Sequence, residues 1–138
     1  MDTYTNEVPT EVDRKMPKPS FVEWEATEEL QKKALEALEI AKDTGRIKKG
    51  INEATKSIER GIARLIVIAE DVEPPEITMY LPGLCDDKKA TYIYVPSKKD
   101  LGNAVGIDRP TAAVAIVVEG KAKDLVSDLV EKIAGLRK

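Results

Sequence analysis

The 138-residue sequence contains no histidine, so the most common general base and the most common metal ligand of proteins are both missing. Its single cysteine, Cys85, excludes an intrachain disulfide and a cysteine-rich zinc site, and we expect it to be a small buried hydrophobe. One Phe, one Trp and four Tyr are too few for a surface that stacks several nucleobases. We therefore predict no catalytic residue, no metal and no cofactor, although chemistry based on carboxylates remains open.

Long apolar runs are also missing. Runs such as residues 65–69 are far too short to cross a bilayer. The start of the chain has no cationic and then apolar secretory pattern, which predicts a cytoplasmic protein with no membrane partner. Residues 1–20 combine acids with three prolines and have almost no apolar pairs, so we predict a disordered acidic tail before a single domain at residues 21–138.

The rest of the chain alternates helix and strand patterns, which predicts an α/β sandwich around a small central sheet. The predicted helices are Thr27 to about Thr44, Gly50 and Asn52 to about Arg60, Pro74-Pro75 to about Lys89 with a kink near Pro82-Gly83, Ser97 to about Val105, and 121–136. The predicted extended segments are 21–24, 46–49, 65–69, 91–95 and 113–118.

Positive charge is concentrated in one part of this acidic protein. Residues 42–64 hold seven cations and three acids, a net charge of 7 − 3 = +4, whereas the whole chain is at −3. Residues 1–30 hold eight acids and three bases, a net charge of −5. A local basic surface on an acidic protein indicates a site for phosphate groups rather than general adhesion.

The second predicted helix separates its polar and apolar residues when it is plotted at about 100° per residue. The polar face contains Asn52, Glu53, Lys56 and Arg60, and the predicted core face contains Ala54, Ile58 and Ile62. Gly50 would permit a positive φ or the close approach of another backbone, and a helix N-terminus favours anions. The polar face is therefore a candidate phosphate and base contact.

Glu53 is the unexpected residue on this polar face. A carboxylate beside phosphates is unfavourable unless it accepts hydrogen bonds, which the N1–H and N2–H edge of an unpaired guanine can donate. This interpretation makes the helix a reader of irregular RNA. The alternative is that Glu53 and Lys56 form a surface pair and that Asn52 caps the helix.

Other residues have weaker signals. Glu70 and Asp71 follow a buried strand and could hold Mg²⁺, which would suit an α/β enzyme or a switch, although a solvated strand end is the other interpretation. Lys98 follows the Ser97 cap and could meet a phosphate. The loop 106–110 could hold a splayed-out base or be a plain connector. A protein-binding scaffold whose basic face docks an acidic partner is a further alternative.

Several motifs in order resemble the L7Ae ribosomal protein family in its archaeal form. They are KGINEATK (49–56), ERG (59–61), IAEDVEP (68–74), LPGLC (81–85), YVPSK (94–98) and LG (101–102). The resemblance covers about residues 21–138 and implies a three-layer α/β/α sandwich with a small mixed central sheet. The loop reads Asp108-Arg109-Pro110, which is nearer to eukaryotic spliceosomal relatives and leaves the preferred class of RNA open.

The resemblance also implies a function, which is to bind kink-turns and kink-loops, where tandem sheared G·A pairs flank a bulge and the duplex bends sharply. The implied partners are ribosomal RNA, box C/D and box H/ACA guide RNAs, ribonuclease P RNA and the partner proteins of guide particles. Such proteins nucleate ribonucleoprotein assembly rather than catalyse, and we expect a monomer when free. The implied RNA contacts are Lys49, Gly50, Asn52, Glu53, Lys56, Arg60, Glu73, Ile77, Lys98, Ile107, Arg109 and Ala112.

Overall fold

The computed structural model of this protein describes residues 27–136. The predicted acidic tail at 1–20 and the predicted extended segment at 21–24 lie outside the described residues. The helices are α1 (Glu28–Thr44), α2 (Ile51–Glu59), α3 (Leu81–Asp87), α4 (Lys98–Ala104) and α5 (Lys123–Leu136), and the strands are β1 (Arg46–Lys49), β2 (Leu65–Ala69), β3 (Tyr92–Val95) and β4 (Ala113–Val118). Short 3-10 turns at Pro75–Ile77 and Gly120–Ala122 precede α3 and α5.

The four strands form one mixed sheet in the order β1-β4-β2-β3. β2 and β3 are parallel, whereas β4 runs antiparallel to both of its neighbours, β1 and β2. β2 is buried along its whole length, as the continuous apolar run of residues 65–69 predicts, and β3 is buried along its whole length as well. The short, cationic β1 occupies one edge of the sheet.

Helices cover both faces of this sheet, so the predicted three-layer α/β/α sandwich is confirmed. Residues of α1, α4 and α5 pack with one set of strand side chains into the larger core. Residues of α2 and α3 pack with the alternate set into the smaller core, which also contains Cys85, fully buried as predicted. The alternation along each strand sends successive side chains to opposite cores, which explains why both faces of so small a sheet are apolar.

Local capping signals set the ends of two helices where they were predicted. The Thr27 hydroxyl accepts a hydrogen bond from the Leu30 N–H at 3.2 Å and begins α1. The Ser97 hydroxyl accepts from the Asp100 N–H at 3.1 Å and begins α4. Such caps satisfy amide groups that have no partner within the helix. α1 ends at Gly45, where an added Cβ would collide with the backbone of Val118.

The prediction of one helix from Pro74-Pro75 to about Lys89 is wrong. Instead, the chain forms the 3-10 turn Pro75–Ile77 and then begins a separate helix, α3. Pro82 lies in the first turn of α3. A proline there loses no hydrogen bond, whereas inside a continuous helix it would remove one and clash with the preceding turn.

One prediction about α2 and one part of the alternative interpretation of its polar face are also wrong. Ile62 does not face the core: its side chain is 44% exposed, because α2 ends at Glu59 and Gly61 turns the chain with a φ of 72°. Asn52 does not cap the helix, since the N-cap is Gly50, which provides no side chain. The helical period therefore cannot be extrapolated past the glycine.

Candidate nucleic-acid interface

One end of the sheet gathers the loops that carry most of the predicted contacts. The Gly50 N–H after β1 donates to the Ala113 carbonyl at the start of β4 at 2.9 Å. The Ala69 N–H at the end of β2 donates to the Ala112 carbonyl at 2.9 Å. The Glu70 N–H donates to the Val95 carbonyl at the end of β3, also at 2.9 Å. These bonds hold the ends of β1, β2 and β3 beside the loop that enters β4, and we call this region the loop end of the sheet.

The N-terminus of α2 opens toward solvent at the loop end. Gly50 adopts φ 96° and ψ 157°, a conformation that is essentially restricted to glycine. An added Cβ at Gly50 would meet nothing within 4 Å, so packing inside the protein does not require the glycine. No side chain caps this helix end. The backbone at Gly50 and the first amide groups of α2 are thus accessible to an external ligand, and the helix dipole favours an anionic ligand.

The polar face of α2 is exposed as predicted. Asn52, Glu53 and Lys56 are all solvent-exposed. The Lys56 ammonium lies 3.8 Å from the Glu53 carboxylate, and the two side chains are 56% and 48% exposed. The surface pair that was the alternative interpretation therefore exists. An exposed pair of this kind contributes at most about 1 kcal/mol, so it leaves both groups available to a ligand.

Lys98 begins α4 at the loop end, after β3, and its side chain is half-buried. The Lys98 N–H donates to the Asp71 carboxylate at 2.8 Å. Asp71 thus ties the end of β2 to the N-terminus of α4, where a negative charge is favourable. Within residues 27–136, no group of three acidic, cysteine or histidine side chains is placed to hold a metal ion. The Asp71 contact gives this carboxylate a structural role that the Mg²⁺ hypothesis did not include.

The loop 106–112 is held close to α4 by backbone contacts. The Ile107 N–H donates to the Gly102 carbonyl at 3.1 Å, and the Thr111 N–H donates to the Lys98 carbonyl at 3.1 Å. An added Cβ on Gly102 would collide with the carbonyl of Arg109, so this glycine permits the close contact. Arg109 itself is exposed. The loop therefore has a fixed base and a solvent-facing tip.

Apolar side chains line the inner part of this loop. Ile107 and Ala112 are half-buried against the larger core. Their position beside the exposed Asp108 and Arg109 gives the loop an apolar wall and a charged rim. Such a combination suits a nucleobase that has left its stack, because the ring contacts apolar atoms and the phosphate meets the cation.

The segment after β2 contributes exposed residues to the same end. Glu73 and Ile77 are both exposed, with Ile77 at 37%. Sequence reasoning missed Tyr80, which is 46% exposed and whose hydroxyl lies 3.0 Å from the Thr55 hydroxyl of α2. No sequence pattern joins two residues that are 25 positions apart, so only the packing of α3 beside α2 identifies Tyr80 as a neighbour of the interface.

Arg60 is the predicted contact that lies apart from the others. It forms the C-cap of α2. A nine-residue helix is about 13 Å long, so Arg60 is roughly that far from the helix N-terminus. The structure therefore places the other α2 contacts at or near the loop end and Arg60 toward the opposite end of the sheet.

The sequence profile of the ribosomal protein L7Ae/L30e/S12e/Gadd45 family matches residues 32–126. The chain belongs to this family. The match contains β1, α2, Lys98 and the loop 106–112, and it confirms the family resemblance of the motifs. The archaeal form of the family stays a prediction.

A solved structure supports this assignment. The protein described as the Giardia lamblia 15.5kD RNA binding protein superposes with a TM-score of 0.80 at 34% sequence identity. The similarity covers 86% of this chain and 98% of the Giardia chain. No helix among residues 27–136 has the length and apolar character needed to cross a membrane.

Proposed function

We propose that this family member is a structure-specific RNA-binding protein that recognises kink-turns and kink-loops. It would act in ribosomal RNA, in box C/D and H/ACA guide RNAs and in ribonuclease P RNA, where it nucleates ribonucleoprotein assembly. Family membership and the likeness to an RNA-binding protein support RNA as the ligand. The geometry of the loop end supports the finer assignment.

The observation that carries the proposal is an exposed carboxylate at the open N-terminus of a helix among cations. A surface that only attracts phosphates gains nothing from Glu53, because a carboxylate repels them. Glu53 is 48% exposed and lies beside Lys56, which can still meet a phosphate or a guanine O6 or N7. In RNA, such a carboxylate can accept hydrogen bonds from the N1–H and N2–H groups of sheared guanines. Asn52, which does not cap the helix, is available to the same guanine edges.

Two further parts of the loop end complete the proposed contact. Lys49 and Lys98 would meet phosphates and fix the register of the RNA, a role that contributes affinity but no discrimination. Ile107, Arg109 and Ala112 would hold the extruded bulge nucleotide against the half-buried wall of the loop. Glu73 and Ile77 would border this nucleotide from the segment after β2.

Binding of this kind acts by population shift. A kink-turn RNA also populates an extended form, and a protein that binds only the kinked form pulls the equilibrium toward it. The protein needs no catalytic group for this task. It would present the bent RNA to partner proteins of the ribonucleoprotein particle, and it would bind as a monomer.

The decisive experiment titrates the protein with a kink-turn RNA and with the same RNA in which Watson–Crick pairs replace the sheared G·A pairs. The two RNAs have the same length and charge, so any difference in affinity reports shape and base edges rather than phosphates. We expect the kink-turn to bind at least about 100-fold more tightly, since several base contacts of about 1–3 kcal/mol each distinguish the two.

Equal affinities would leave only a basic surface and would contradict the proposal. Binding to neither RNA, combined with retention of an acidic protein partner, would favour the scaffold alternative. The titration also has an independent structural readout, because fluorophores on the two RNA arms approach one another only when the kink forms.

A further inference from the structure

The start of α1 and the end of α5 border a groove of about 370 Å³ whose walls are mostly apolar. Both helices pack on the larger core, so the groove lies on the face of the sheet that is opposite to α2. Sites that hold a small organic group have volumes of about 300–1,000 Å³, so this groove can take a side chain as large as an indole. The groove is lined by Thr27, Glu29 and Leu30 of the α1 end and by Lys132, Gly135 and Leu136 of α5.

The charged residues of the groove already have partners within the fold. The Lys132 ammonium lies 3.2 Å from the Asp128 carboxylate, and the Glu29 carboxylate lies 3.5 Å from the Lys33 ammonium. Leu136, by contrast, is 41% exposed. The unfilled part of the groove is therefore apolar, and an apolar occupant would remove this surface from water.

Gly135 keeps one wall of the groove flat. It lies in the last turn of α5 and does not have the positive φ for which a glycine is usually needed. An added Cβ there would meet nothing within 4 Å among residues 27–136. Neither the backbone conformation nor the packing of the described residues thus requires a glycine, and its missing side chain leaves room for an occupant.

The chain has an apolar segment directly beside this groove. Residues 21–26 read FVEWEA and immediately precede Thr27. Phe21 and Trp24 are the only Phe and the only Trp of the sequence. Trp24 precedes Thr27 by three residues, which span at most about 11 Å. Because the tether is this short, the indole is held near the groove at a high effective concentration.

The side-chain pattern of this segment fits a groove that is apolar. The backbone of Thr27 is extended, with φ −70° and ψ 157°. In an extended segment that continues back from Thr27, alternation would place Val22 and Trp24 on one side and Glu23 and Glu25 on the other. One side can then be buried without a charged group, while both acids stay in water.

We infer that residues 21–26 cover the groove between α1 and α5, with the Trp24 indole over Gly135 and against Leu30 and Leu136. The folded domain then begins at about residue 21, as the sequence predicts, rather than at Thr27. The inference does not depend on the proposed function, because the groove and α2 lie on opposite faces of the sheet.

The fluorescence of the full-length protein tests this placement, since Trp24 is the only tryptophan. We expect emission at shorter wavelength than that of the urea-unfolded protein, and weaker quenching by acrylamide, because the buried ring is shielded from water. Nuclear Overhauser contacts between the indole protons and the methyl groups of Leu30 or Leu136 should locate the ring directly.

Gly135→Gln fills the groove with a neutral side chain and should displace the indole. Emission should shift to longer wavelength and acrylamide quenching should rise toward the value of the unfolded protein, while circular dichroism and cooperative unfolding stay as in wild type. Gly83→Gln is the matched control. Gly83 is an exposed glycine of α3, on the other face of the sheet, and an added Cβ there also meets nothing within 4 Å among the described residues. This control should keep the wild-type emission.

Three results would overturn the inference. Wild-type emission and quenching equal to those of the unfolded protein would mean that the groove stays uncovered. Wild-type fluorescence in folded Gly135→Gln, with no indole contact to either leucine, would mean that Trp24 is buried elsewhere. Emission that moves to longer wavelength on dilution, as a dimer dissociates in sedimentation, would assign the groove to a second copy of the chain.

Discussion

The N-termini of α1 and α2 are capped in different ways. α1 begins with Thr27, whose hydroxyl accepts from the Leu30 N–H, and its first turn holds Glu28 and Glu29. These carboxylates complement the positive end of the helix dipole. α2 also has a carboxylate in its first turn, Glu53, but it begins with Gly50 and has no side-chain cap. The first helix end is satisfied within the protein, whereas the second is left open, and this difference indicates which end is meant for an external anion.

The two helices also differ in how their cations are placed. Lys33 of α1 lies 3.5 Å from Glu29 and 3.8 Å from Asp128, so α1 is tied to α5. On α2, Lys56 pairs with Glu53, but Arg60 forms no ion pair with any residue from 27 to 136. Charges that pair inside the fold contribute to its stability, whereas unpaired charges remain for a polyanion. By this contrast, α1 and α5 belong to a layer that supports the fold, and α2 belongs to the layer that is proposed to bind RNA.

Gly50→Ala should produce the largest effect on the open helix end. A Cβ in this backbone conformation costs about 1–3 kcal/mol of folding free energy. It would also project into the space that the RNA backbone is proposed to enter and displace base contacts of about 1–3 kcal/mol each, so kink-turn affinity should fall by on the order of 100-fold beyond the loss of folded protein. Chemical denaturation and RNA titration of the same sample measure the two effects separately.

Gly61→Ala is the matched control for Gly50→Ala. Gly61 has a φ of 72°, and an added Cβ there also meets nothing within 4 Å, but it follows the far end of α2. The control should lose about 1 kcal/mol of stability and keep its RNA affinity. If both variants lost affinity equally, backbone strain alone would explain the result and Gly50 would not mark the RNA contact.

Glu53→Gln should have the next largest effect, on discrimination rather than on affinity for RNA in general. Removing the carboxylate makes the surface more positive, so binding to the Watson–Crick RNA should strengthen slightly. The preference for the kink-turn should fall about 10- to 100-fold, because the guanine N–H groups lose a charged acceptor. Parallel titrations of both RNAs give the ratio directly.

Glu59→Gln removes the same charge from the last residue of α2 and serves as the control. Its side chain is exposed and far from the helix N-terminus, so the preference for the kink-turn should not change. A tighter kink-turn complex for Glu53→Gln would show that the carboxylate does not read guanine.

Thr27→Ala should have the smallest effect of the three and should act on the closed helix end. Loss of the cap leaves the Leu30 N–H without its acceptor and lowers the free energy of unfolding by about 1 kcal/mol. Kink-turn affinity should stay at the wild-type value, measured where both proteins are folded. A loss of affinity would mean that α1 is not a purely supporting element.

Sequence reasoning succeeded where a signal is local. The starts of α1 at Thr27 and of α4 at Ser97 were predicted from local residues, and both side chains make their capping contact within one helical turn. The buried strand at 65–69 was predicted from its own apolar run. These features depend on short-range hydrogen bonds and burial patterns, which a single sequence contains in full.

Predictions failed where a helical periodicity was extended through a glycine or a proline that sets a helix boundary. Ile62 falls on the apolar face only if α2 continues past Gly61, and the positive φ of Gly61 stops it. The helix expected up to about Lys89 required Pro82 in its interior, whereas the structure uses Pro82 in the first turn of α3. A glycine in the first case and a proline in the second therefore set the helix boundary against the apolar periodicity.

Contacts between distant residues could not be predicted at all. Asp71 and Lys98 are 27 positions apart, and their bond exists because β2 and β3 are parallel neighbours that end together. The same pairing makes Asp71 a support of α4. From the residue types alone, Asp71 could have been either a magnesium ligand or part of a solvated strand end.

The sequence by itself determined the chemistry of α2: a glycine at its start, an amide and a carboxylate in its first turn, and cations along one face. A helix repeats every 3.6 residues, so neighbours in the sequence are also neighbours on the surface. Only the tertiary structure decided that Lys98 and the loop 106–112 join that helix end. These associations depend on strand pairing between distant segments, whose order and direction are set by the burial of both faces of the sheet rather than by any local pattern.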